Sequence, residues 1–131
     1  MGSETHVDGL EIMLRSLNPD SQITPDSEIR QLLDQRVLGG DLSKELFSKV
    51  VEAECAYARR IVQNAGGKPV AERLMRLSLL SPIDSDQRGA SYCDLRIEEA
   101  RKKEEAMPDT NHKEAAAWQT YKAMNFSTAT S

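Results

Sequence analysis

An all-α fold is predicted from the sequence: a small bundle of four core helices with an appended, charged C-terminal helical arm. Three observations lead there. Residues 42–64 place apolar side chains at helical spacing over about six turns, between the glycine pairs Gly39-Gly40 and Gly66-Gly67. No stretch sustains the period-two alternation of a half-buried strand. Leu, Ile, Val and Phe total 27 of 131 residues, and 26 of these lie within residues 7–97, with only Phe126 beyond. A chain of this length is one domain. Its expected organisation is a flexible N-terminus (1–6), a helical core (7–97), and a charged helix with an aromatic arm (98–131).

Each element carries its own punctuation. Asp8 with Glu11 forms a capping-box pattern ahead of Leu10, Met13, Leu14 and Leu17, and Asn18-Pro19 stops that first helix. Thr24 is placed to cap a second helix with Pro25 at its first position. Ile29, Leu32, Leu33 and Val37 form its apolar face, and Gly39-Gly40 ends it. Asp41 or Ser43 caps the long third helix. There Leu42, Leu46, Phe47, Val50, Ala53, Tyr57, Ala58, Ile61 and Val62 cover more than half the circumference, while Glu45, Lys49, Glu52 and Arg59 occupy the rest. So wide a stripe requires neighbours on two sides.

Lys68-Pro69 opens an expected fourth helix, with Val70, Leu74 and Leu77 facing inward. Residues 82–91, holding Pro, Asp, Ser and Gly, read as a loop. A fifth helix is expected from Tyr92 to a break at Met107-Pro108, amphipathic only through Leu95 and Ile97. Asn111 with Glu114 caps a short sixth helix carrying Ala117, Trp118, Tyr121 and Met124.

Composition narrows the functional classes. Net charge is −4 and the pI about 5.2. The basic run Arg101-Lys102-Lys103 is flanked by Glu98, Glu99, Glu104 and Glu105, a pattern of i,i+4 pairs on a solvated helix. Direct binding to nucleic acid is therefore disfavoured. No apolar run reaches spanning length and no signal-type segment follows Met1, so a soluble intracellular protein is expected. Cys55 and Cys93 have no CxxC or Cys/His spacing, which suits small core residues in a reducing compartment.

Catalytic and cofactor patterns do not emerge. His6 and His112 lack the spacing that puts two imidazoles on one helix face, and there is no GxSxG, P-loop or GxGxxG. No catalytic, metal or cofactor-binding residue is expected, and no cofactor. A helix-turn-helix alignment on Gly39 or Gly40 places Asp34 or Gln35 where that motif buries an apolar residue, with later core positions falling on Glu45, Ser48 or Lys49.

Four residues stand out as candidate partner contacts. Glu54 interrupts the apolar sector of the long helix, so its carboxylate needs a partner, either Arg73 or Arg76 within the chain or a cation on another protein. Trp118, Tyr121 and Met124 make a short aromatic face that either folds back on the core or, carried outward by the charged helix, anchors a partner. Arg36 also intrudes on an apolar face, one turn from the Gly-Gly stop, where it can reach water or terminal carbonyls.

The segment from Leu17-Asn18-Pro19-Asp20 to Arg60, with Val50-Val51 and Cys55-Ala56-Tyr57-Ala58-Arg59 in its long helix, resembles histone-fold transcription-factor subunits. That resemblance implies a nucleic-acid-associated regulator; within the same class, a helical dimer laid on duplex RNA is a separate alternative. It departs at Gly39-Gly40-Asp41, which is too short and too polar for the first loop of that fold. The expectation from the residues themselves is a non-enzymatic protein–protein interaction module: an adaptor, inhibitor or structural subunit that binds another protein or a second copy of itself.

Overall fold

Five helices make up a computed structural model that describes residues 9–18, 23, 27–65, 85–109 and 112–126; no strand occurs among them. They are α1 (Gly9–Arg15), α2 (Glu28–Gly39), α3 (Lys44–Ala65), α4 (Ser85–Ala106) and α5 (Glu114–Asn125). The expected helix from Lys68-Pro69 lies outside the described residues. Packing neighbours close a ring in the order α1, α2, α5, α4, α3 and back to α1.

Helix ends explain much of the local structure. Gly40 adopts φ 73°, the left-handed conformation that glycine takes without a Cβ penalty. Its N–H donates to the Val37 carbonyl and that of Asp41 to the Arg36 carbonyl, the paired bonds of a Schellman turn. Arg36 seals the same turn, donating from Nε to Asp41 Oδ1 (3.1 Å) and from Nη2 to the Asp41 carbonyl (2.9 Å). Residues 40–43 thus hold a tight turn rather than a pairing strand, and the resemblance to histone-fold subunits ends at that loop. Ser43 starts α3: its Oγ accepts the Leu46 N–H at 3.1 Å, leaving fewer orphan amides in the first turn. The start of α2 is Glu28, preceded by Ser27; Thr24 and Pro25 lie outside the described residues.

α4 begins seven residues ahead of the expected Tyr92, so residues 85–91 are helix rather than loop. Gly89 is the reason that this stretch reads as a break and yet is not one. A Cβ there would meet the Phe126 ring at 2.5 Å, so the missing side chain is the space that the ring fills. α4 and α5 form an antiparallel hairpin. Lys122 pairs with Asp94 (2.7 Å), and near the connection Glu104 accepts the Ala115 N–H (3.2 Å), giving α5 an amide partner from its neighbour.

The core is one continuous cluster, and it corrects the expected boundary at residue 97. Leu10, Ile29, Leu33, Val37, Val50 and Val51 form its aliphatic part. Phe47 joins this to an aromatic part, with ring centroids 5.6 Å from Tyr92, 6.1 Å from Trp118, 5.1 Å from Tyr121 and 5.6 Å from Phe126. Trp118, Tyr121 and Phe126 come from the arm segment, whose aromatic face was expected either to fold back on the core or to anchor a partner, and all three are buried in their own chain. Aromatic side chains bury roughly 150–250 Å² each, which is why so short a helix docks firmly.

Candidate functional site

Between α2, α3 and α4 the interior turns polar. Arg30 and Glu54 face each other from α2 and α3, both buried among apolar neighbours. Their contact is bidentate, with Nε to Oε2 at 3.1 Å and Nη2 to Oε1 at 2.9 Å. The remaining Arg30 nitrogen, Nη1, donates to Glu99 Oε1 at 2.8 Å. Glu54 also accepts the Tyr92 hydroxyl proton. Burial acts to lower the Arg30 pKa, but Tyr92, Glu54 and Glu99 together hold it above its ordinary value. Arg30 therefore stays charged, and its planar fork matches the carboxylate geometry.

Arg96 continues the chain of contacts toward α5. It donates from Nη1 to the Tyr92 hydroxyl oxygen (3.0 Å) and from Nη2 to Asp34 Oδ1 (2.6 Å), and its Nε lies 3.2 Å from Glu99 Oε1. The guanidinium stands over the Trp118 ring, 5.0 Å from its centroid, and the Trp118 indole N–H donates to the same Asp34 oxygen at 3.2 Å. Burial pushes the Asp34 carboxyl up to about 6, against the pull of Arg96, and neighbouring Glu114 adds to the push. Desolvation likewise raises the Tyr92 hydroxyl, reinforced by Glu54.

Of the four candidate contacts, three are spent inside the molecule. Glu54 is paired, but with Arg30 and Tyr92; Arg73 and Arg76 lie outside the described residues. Trp118 packs between Phe47 and Arg96, and Tyr121 is buried with its hydroxyl donating to the Ser43 carbonyl (3.4 Å). Met124 is 77% exposed. Arg30 and Arg96 carry the network and were not singled out by sequence. The signal for Arg30 was weak: on the wheel it lies beside Val37 at the edge of the sector made by Ile29, Leu33 and Val37, whereas Glu54 sits within its own apolar sector.

Chemically, the arrangement is a closed electrostatic clasp. Its donors and acceptors face one another within a packed interior. Burial raises the thiols of Cys55 to about 11 and Cys93 to about 12, which leaves both protonated and unreactive. Among the described residues no group of three or more His, Cys, Asp or Glu side chains is arranged to hold a metal ion, and no helix is long and apolar enough to cross a membrane. No protein-family model, curated protein or solved structure matches the chain.

The outer surface offers a second feature. Asp34 meets Trp118, and Ser43, past the end of α2, meets Tyr121 further along α5, so α2 and α5 run side by side in the same direction. Leu38 stands one turn beyond Asp34 and is 50% exposed; Met124 stands three residues beyond Tyr121. By helical register both flank the α2–α5 seam, on the outside of the bundle.

Proposed function

We propose that the protein is a non-enzymatic interaction module, a small adaptor, inhibitor or structural subunit, that contacts another protein through the outer α2–α5 seam. The observation that carries this reading is the pair Leu38 and Met124, two large apolar side chains left in water on adjacent helices. Scattered single apolar residues are ordinary, whereas two that flank one seam on packed helices suit an interface. The buried clasp supports the same reading from within, because it holds α2 and α5 in fixed relation to α3 and α4. In this reading Met124 remains a contact residue, while Glu54, Trp118 and Tyr121 build the scaffold beneath it.

The test is affinity capture from the native host with the wild-type chain, Leu38→Asp and Met124→Asp, each verified by circular dichroism to be folded. Loss of one and the same partner from both variants is the expected result. Equal capture by all three proteins removes the seam as the interface. Light scattering of the purified chain distinguishes a second copy of the protein from a different partner.

A further inference from the structure

The grooves between neighbouring helices differ in how they are closed on the outside. Across the α3–α4 groove Arg88 pairs with Glu52 (2.7 Å) and Lys44 with Asp86 (3.0 Å). Across the α4–α5 groove Lys122 pairs with Asp94 and Lys103 with Glu114. Among the described residues no such ion pair crosses from α1 to α3. The groove there is lined by Glu11, Leu14 and Arg15 of α1, Leu17 just past its end, and Lys49 and Ala53 of α3. It holds about 390 Å³ and lies open to solvent.

The floor of this groove is apolar and its banks are basic. Leu14, Leu17 and Ala53 pack against the core but remain partly exposed. Lys49 is exposed and meets no carboxylate among the described residues. Arg15 is 72% exposed and holds Glu11, the single carboxylate of the lining, in an ion pair of 2.9 Å on its own helix. About two turns beyond Ala53, on the same strip of α3, Arg60 stands over the Tyr57 ring at 5.5 Å. In a chain of net charge −4, two cations here face one carboxylate.

We propose that the α1–α3 groove is the docking site for an acidic amphipathic helix of another protein. Apolar side chains of that helix, one turn apart, cover Leu14, Leu17 and Ala53. A carboxylate on its flank bridges to Lys49, supplying from outside the kind of pair that Asp94 makes with Lys122. An open trough suits a helix, since a small ligand needs about 70–90% of its surface covered. In the ring of helices this groove and the α2–α5 seam are separate edges, so both can be occupied at once. The groove reading stands on its own residues and does not depend on what binds the seam.

Selection from a display library of random peptides against the immobilised full chain tests the assignment. The enriched peptides are expected to repeat large apolar residues at helical spacing beside Asp or Glu. The tightest of them, made with a fluorophore, is then titrated by anisotropy against variants shown to be folded by circular dichroism. Arg15→Glu/Lys49→Glu should weaken binding about tenfold, because two exposed attractions become repulsions. Arg101→Glu/Lys102→Glu changes net charge equally but outside the groove, and should leave affinity within about twofold, as should Leu38→Asp on the seam. Exchanging the acidic residues of the peptide for lysine should restore its binding to Arg15→Glu/Lys49→Glu. Equal weakening by both double variants would reduce the effect to net charge and overturn the proposal. So would basic, uncharged or absent enrichment, or a loss confined to Leu38→Asp, which moves the peptide to the seam. Light scattering and co-sedimentation with phosphatidylserine vesicles address the other occupants. A dimer, or vesicle binding, that Arg15→Glu/Lys49→Glu abolishes gives the groove to a second copy or to an anionic membrane, and also overturns the proposal.

Discussion

α3 brings seven buried side chains to the core over about four turns, whereas α5 brings three, with Phe126 just beyond its end. The two helices nevertheless meet in the same aromatic cluster, where Phe47 of α3 touches Trp118, Tyr121 and Phe126. α3 reaches the interior through many aliphatic side chains in a broad stripe; α5 reaches it through a few very large ones. The difference teaches that docking strength follows apolar area rather than the number of apolar residues. Three of the six aromatic residues lie beyond residue 97, so an aliphatic count places the edge of the core too early.

The comparison breaks most directly at Trp118. Trp118→Ala should cost about 3–5 kcal/mol, more than Leu46→Ala in the α3 stripe, measured by urea denaturation followed by far-ultraviolet circular dichroism. Equal costs would erase the distinction between the two modes of burial.

A second test concerns the polar part that joins both regions. Arg30→Met should destabilise by about 3–5 kcal/mol, because it strands the buried Glu54 carboxylate with only a hydroxyl partner. The double variant Arg30→Met/Glu54→Leu should recover much of that loss in the same assay. A double variant as unstable as the single one would mean that the clasp holds the helices by more than charge pairing.

Smaller effects sharpen the contrast. Gly89→Ala drives a methyl group into the Phe126 ring; overpacking of about 1–3 kcal/mol outweighs a helix-propensity gain of at most about 1 kcal/mol. In a Phe126→Ala background the same substitution should become neutral or stabilising by thermal denaturation. Smallest of all, Met124→Asp should change stability by no more than about 0.5 kcal/mol, although it lies three residues from Tyr121. A large loss of stability would place Met124 in the core instead of on the outer seam.

How much of this was readable depended on the kind of signal. Leu10, Leu33, Val37 and Val50 repeat at helical spacing, so their faces could be read from the chain. Ser43 and Gly40 act within one turn of themselves, and their roles as cap and stop were visible for that reason. The start of α4 was not, since Gly89 reads as a break until Phe126, 37 residues away in sequence, is seen against it. Glu54 announced that it needed a partner but not which one. Arg30 stands only at the edge of an apolar face, which does not mark it as buried, and Arg96 joins Asp34 across a separation of 62 residues that no local pattern encodes.

By itself, then, the chain determined that it is helical, where its turns fall and which aliphatic faces must leave water, because these follow from short-range geometry and periodic burial. Tertiary structure alone decided that α5 closes the core and that Arg30 and Arg96 pair with Glu54, Glu99 and Asp34. Those outcomes depend on the area of individual rings and on charges brought together in a buried interior, where an unpaired ion is too costly to leave alone.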